Sequence, residues 1–71
     1  MAGKNIDRGF VTVYHAFKGY GFIRREKGRD VFFFYDDIAD GQEEFIVGDA
    51  VEFEVRIEGK GPRAYDVKRV S

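Results

Sequence analysis

Two runs of this 71-residue chain set aromatic rings at alternate positions beside cationic side chains: KGYGFIRR at Lys18–Arg25 and VFFFY at Val31–Tyr35. Rings at that spacing offer flat π surfaces to unpaired nucleobases, while neighbouring lysines and arginines meet the phosphates. No bond is made or broken in such chemistry. Each stacked base contributes roughly 1–3 kcal/mol, so three or four rings give useful affinity with modest sequence preference. Four tyrosines and eight phenylalanines are more than the interior of so short a domain can hold. Some rings must face water.

Other chemistries lack residues to carry them. The absence of cysteine excludes disulfides and thiolate metal sites, and His15, the one histidine, does not build a zinc or iron site by itself. Ser71 is the sole serine, Thr12 has no evident catalytic partner, and EGKGPR lacks the glycine spacing and Lys-Ser/Thr ending of a phosphate loop. The carboxylate-rich DGQEE reads as a solvated acidic loop. The sequence therefore predicts no enzyme, no cofactor, no metal and no small-molecule substrate. MAGKNIDRGF has no apolar signal core, and no stretch approaches the roughly 18 apolar residues of a membrane span, which points to a soluble, cytoplasmic protein with no membrane partner.

The net charge of −1, taken alone, opposes a polyanionic partner, but it averages two unlike halves. Residues 1–35 carry seven lysines and arginines against three acids, whereas residues 36–71 carry five against ten. The aromatic half is the basic half.

Strands must position these rings. No window carries a helical stripe, and β-branched and aromatic residues alternate with polar ones in short runs bounded by glycine or charge. This pattern predicts one all-β domain over residues 1–71 with strands near Arg8–His15, Gly19–Arg25, Asp30–Tyr35, Ala50–Ile57 and Arg63–Val70. EKGRD and EGKGP supply hairpin connections, and Pro62, which has no amide hydrogen for a ladder, suits the start of the fifth strand. In AVEFEVRI, Val51, Phe53, Val55 and Ile57 share the face expected to enter the core. In VFFFY, Val31, Phe33 and Tyr35 form one row and Phe32 and Phe34 the other. If the first row enters the core, the second points outward. The same alternation separates Gly21 and Ile23 from Tyr20 and Phe22, so adjacent strands would gather Tyr20, Phe22, Phe32 and Phe34 into one patch. Gly19 and Gly21 predict a bulge or a close approach to the backbone.

GFVTVYHAFKGYGFI, DVFFFYDDI, VGDAVEFEV and KGPRAYDV together resemble a bacterial-type cold-shock domain from Gly9 to Val70. The first block resembles the family's RNP1 motif and the second its RNP2 motif. RRM domains also carry these motifs, but with RNP2 first and with two helices on the sheet. The resemblance implies a five-stranded antiparallel Greek-key barrel of the OB type. It further implies a single-stranded RNA or DNA partner and an RNA chaperone role. Phe22, Phe32 and Phe34 would be the central stacking residues, with Tyr14, Tyr20 and Tyr35 around them and Lys18 and Lys60 as basic contacts. Asp30 falls where the family has an acid near the bound strand, either bonding a base or closing the turn after Arg29.

The chain departs from the family pattern at several positions. Val13 stands where tryptophan is usual, Thr12 for lysine, Phe34 for histidine, and Phe45 aligns with a buried leucine rather than a loop aromatic. Phe17 takes a small or polar position, either adding a ring to the site or packing on the first hairpin; His15 replaces asparagine as a turn residue. A barrel that presents its aromatic face to another protein is the rival reading.

Overall fold

The computed structural model describes residues 5–41 and 45–70. Part of the acidic DGQEE segment and Ser71 lie outside that range. The alternating runs form β1 (Ile6–His15), β2 (Tyr20–Arg25), β3 (Val31–Phe34), β4 (Ala50–Glu58) and β5 (Gly61–Arg69), with a 3-10 turn at Tyr35–Asp37 opening the long connection. They close in the order β1-β2-β3-β5-β4, with β4 paired back to β1. This is the expected all-β barrel of the OB type. Its seams are antiparallel except between β3 and β5, where Phe32 meets Arg63 in parallel and Ile38 bridges Val67 in the same sense just beyond. An odd ring of strands cannot alternate direction all the way round, so one seam must run parallel.

Inward positions of all five strands, joined by Phe45 from the connection, fill the core: Val11, Ile23, Val31, Phe33, Val51, Phe53, Val55, Ala64 and Val67. Sealing rings such as Phe33 and Phe53 from water contributes about 1.5–3 kcal/mol each. Two residues leave the rows in which alternation placed them. Tyr35 is 63% exposed because β3 ends at Phe34 and the chain turns. Ile57 is 77% exposed because β4 runs past the barrel rim into its hairpin with β5. Pro62 is the second residue of β5, opposite Ile57.

Two irregularities aim the strands. One extra residue, Thr12, stands in β1 between the pairs Val11–Ile23 and Val13–Phe22. Another lies in β5 between Tyr65 and Lys68, where Asp66 takes a positive φ of 56°, a conformation that Asp tolerates better than most residues. The glycine signal in β2 also finds its cause. Gly21 faces Phe33 across the ladder, and a Cβ there would stand 2.7 Å from the Phe33 Cζ and 2.5 Å from the Val13 carbonyl oxygen. The close approach at Gly21 is thus a core ring's, on the inner side of the sheet.

Candidate functional site

With Gly21 and Phe33 turned inward, their neighbours must turn out. Tyr20 pairs with Phe34 and Phe22 with Phe32 across the β2–β3 ladder, so the four rings share one outer face. Their centroids lie 5.4 Å apart for Phe22–Phe32, 5.9 Å for Tyr20–Phe32, 6.2 Å for Tyr20–Phe22 and 4.6 Å for Phe32–Phe34. Three of these contacts are edge-on, the geometry that the ring quadrupole favours and that contributes about 0.5–1.5 kcal/mol per pair. Tyr20, Phe22 and Phe32 are half-buried and Phe34 is 42% exposed. The rings brace one another and keep surface open to solvent.

The bulge at Thr12 decides what β1 adds. Past it, Val13 stands opposite Phe22 and His15 opposite Tyr20, on the outer face, while Tyr14 stands opposite Gly21 on the inner one. Val13 therefore sets an aliphatic side chain, not a ring, opposite Phe22, and the Thr12 hydroxyl donates to the Phe22 carbonyl at 3.4 Å. His15 does more than end a strand, since its ring lies 5.0 Å from Tyr20 and lengthens the platform. Tyr14 is separated from the platform: its ring stacks on Phe33 at 6.1 Å and meets Phe45 edge-on at the same distance.

The remaining sequence-predicted residues, Asp30 excepted, flank the rings in two grooves. One, lined by Phe22, Phe32, Phe34, Lys60 and Arg63, brings the β4–β5 turn to the platform's edge. The other is lined by Tyr14, Phe17, Lys18, Gly19 and Tyr35. Gly19, at a φ of 75°, lets the Tyr35 ring approach to where a Cβ would be 2.9 Å from its Cδ1. Phe17 is fully exposed, so packing on the first hairpin does not occur. Asp30 lies just before β3 with an oxygen 3.5 Å from the Arg24 Nε.

Sequence reasoning missed Asp37 and Arg63. The buried Asp37 carboxylate accepts from the Arg63 Nε at 3.0 Å and Nη2 at 3.1 Å, and from the Phe34 backbone N–H at 2.9 Å. These bonds raise the Arg63 pKa above its ordinary value, with the Asp37 hydrogen bonds as the largest cause. The guanidinium so held lies over the Phe34 ring at 4.7 Å and the Tyr65 ring at 4.8 Å, and Arg56 covers Tyr65 at 4.2 Å. The Tyr65 hydroxyl donates to Glu58. One edge of the platform is thereby fixed by an alternating stack of rings and cations.

Residues 7–70 match the family model described as the 'Cold-shock' DNA-binding domain. The Retron Se72 cold shock-like protein of Salmonella heidelberg is 43% identical over 67 residues, covering 92% of this chain and 100% of that protein. A cold shock-like protein of Thermotoga maritima is 42% identical over 64 residues, covering 89% and 97%. The solved structure of drosophila Unr CSD456 superposes with a TM-score of 0.80 at 27% identity over 97% of this chain, which spans 28% of that one.

Proposed function

This chain belongs to the cold-shock domain family, and we propose that it binds single-stranded RNA or DNA by stacking unpaired bases on Tyr20, Phe22, Phe32 and Phe34. The observation that carries this reading is four rings on adjacent strands, in mutual contact and open to solvent, between grooves that hold Lys18 and Lys60. Duplex stems hide their base faces, so the platform has a differential affinity for the open strand. Binding energy released there draws hairpins toward their open form without ATP. In the cytoplasm that makes the protein an RNA chaperone, and exchangeable binding serves it better than tight binding.

Val13 opposite Phe22 and Thr12 beside it, where the family usually has tryptophan and lysine, favour one second reading, a barrel that offers the same rings to a protein. Titration of labelled heptathymidine and a uridine-rich strand at rising salt separates the two. Affinity that falls with salt supports strand binding, because neutralised phosphates release counterions. No binding at low salt leaves the protein-contact reading.

A further inference from the structure

The outer face of the barrel continues beyond the four rings. Along β2 it reads Tyr20, Phe22, Arg24; along β1, with the Thr12 bulge allowed for, it reads His15, Val13, Phe10. Phe10 pairs with Arg24 on one side and with Ala50 of β4 on the other, and the residue is 58% exposed. Successive same-face positions on a strand lie about 7 Å apart. Phe10 therefore follows Val13 on this face, one diagonal step from Phe22.

The groove around Phe10 is lined by Arg8, Arg24, Arg25, Ala50 and Val70. Its cations have local partners: Arg8 with Glu52 at 3.1 Å, Arg24 with Asp30 at 3.5 Å, and Arg25 with Asp7 at 3.4 Å and with the Arg29 carbonyl oxygen. Glu26 stands at the same groove. The Arg8 and Arg24 side chains are 70% and 69% exposed. Exposed pairs of this kind contribute little, so both guanidiniums can turn to an arriving phosphate at small cost. Arg25 is held too closely to do so.

We propose that Phe10 is a further base-stacking subsite for the same single strand, with Arg24 and Arg8 receiving the phosphates beside it. This proposal rests on the stacking reading above. Continuity with the platform and a ring set beside two exposed arginines, Arg8 and Arg24, fit a polyanion carrying flat bases, in preference to an apolar protein surface.

Thymidine oligomers of about four and about eight nucleotides, lengths within the range one OB fold accommodates, test it against the parent, Phe10→Ala and Phe10→Leu. Both variants weaken the longer oligomer by roughly fivefold or more and leave the shorter one unchanged. The longer oligomer also shifts the backbone amides of Gly9, Phe10, Val11 and Arg24, which the shorter one leaves in place. Parent-like affinity of either variant for the longer oligomer overturns the subsite while the platform stands. Loss of both oligomers by the parent overturns the platform and the subsite together. A concentration-dependent dimer in sedimentation that Phe10→Ala abolishes makes the ring a self-contact and removes the subsite.

Discussion

The outer surface of β2 and β3 and the outer surface of β4 and β5 belong to one barrel but meet water in different ways. On β4 and β5 charge answers charge: Arg8 and Lys68 on Glu52, Arg56 on Glu54, Arg63 on Asp37 and Glu58, Arg69 on Asp49. On β2 and β3 ring answers ring from Tyr20 to Phe34, with ion pairs confined to the far end of β2 at Arg24 and Arg25, and among the described residues Lys18 and Lys60 at the flanks hold no ion pair. The contrast explains why a net charge of −1 is a poor guide to partners. Most of the acid is matched within the barrel's own surface, which leaves the aromatic side with uncommitted cations.

The sharpest test of this contrast compares two neighbours in one strand. Phe33→Ala removes a ring sealed from water and lowers unfolding free energy by about 3–5 kcal/mol, enough to leave little folded protein in a denaturant titration. Phe32→Ala, on the opposite face, keeps the fold and weakens oligonucleotide binding by roughly 1–3 kcal/mol. Unfolding by Phe32→Ala would place that ring among the supports of the core. Next in size is Asp37→Asn, which strips charge from the Arg63 contact and one acceptor arrangement from the Phe34 N–H. Urea midpoints then show a loss of about 1–3 kcal/mol, against less than about 1 kcal/mol for Glu52→Gln at the exposed Arg8 pair.

Smaller effects sharpen the electrostatic half of the comparison. Lys18→Ala reduces the slope of log affinity against log salt by about one, whereas Arg56→Gln, whose charge is already spent on Glu54, leaves it unchanged. A slope unaffected by Lys18→Ala rules out a phosphate contact there. The smallest effect concerns Asp49, whose pKa is held below its ordinary value by the Ile46 backbone N–H and then by Arg69. A depressed folded-state pKa stabilises above the ordinary carboxylate range, and that contribution is lost as pH falls through the lowered value. Asp49→Asn accordingly flattens the acid limb of the stability profile and leaves oligonucleotide binding at neutral pH untouched.

Alternation in the sequence was sufficient to place Phe22, Phe32 and Phe34 outward and Val31 and Phe33 inward, because a strand has only two faces. It failed at strand ends, where Tyr35 and Ile57 follow the rhythm of a strand but have no barrel wall to enter. It also could not show the bulge that turns Tyr14 inward, since Thr12 looks like any other polar residue in the run. The Asp37–Arg63 pair joins positions 26 residues apart that the barrel's closure brings together, with no local spacing to announce it. Position-by-position resemblance supplied Lys18 and Lys60, which periodicity does not single out.

Thr12 has a consequence for how this surface can change. One supernumerary residue sets the parity of everything after it in β1, so its deletion would exchange the surroundings of Val13, Tyr14 and His15 at a single stroke. Length, as much as composition, writes the chemistry of that edge, and an indel there rewrites it more thoroughly than any substitution.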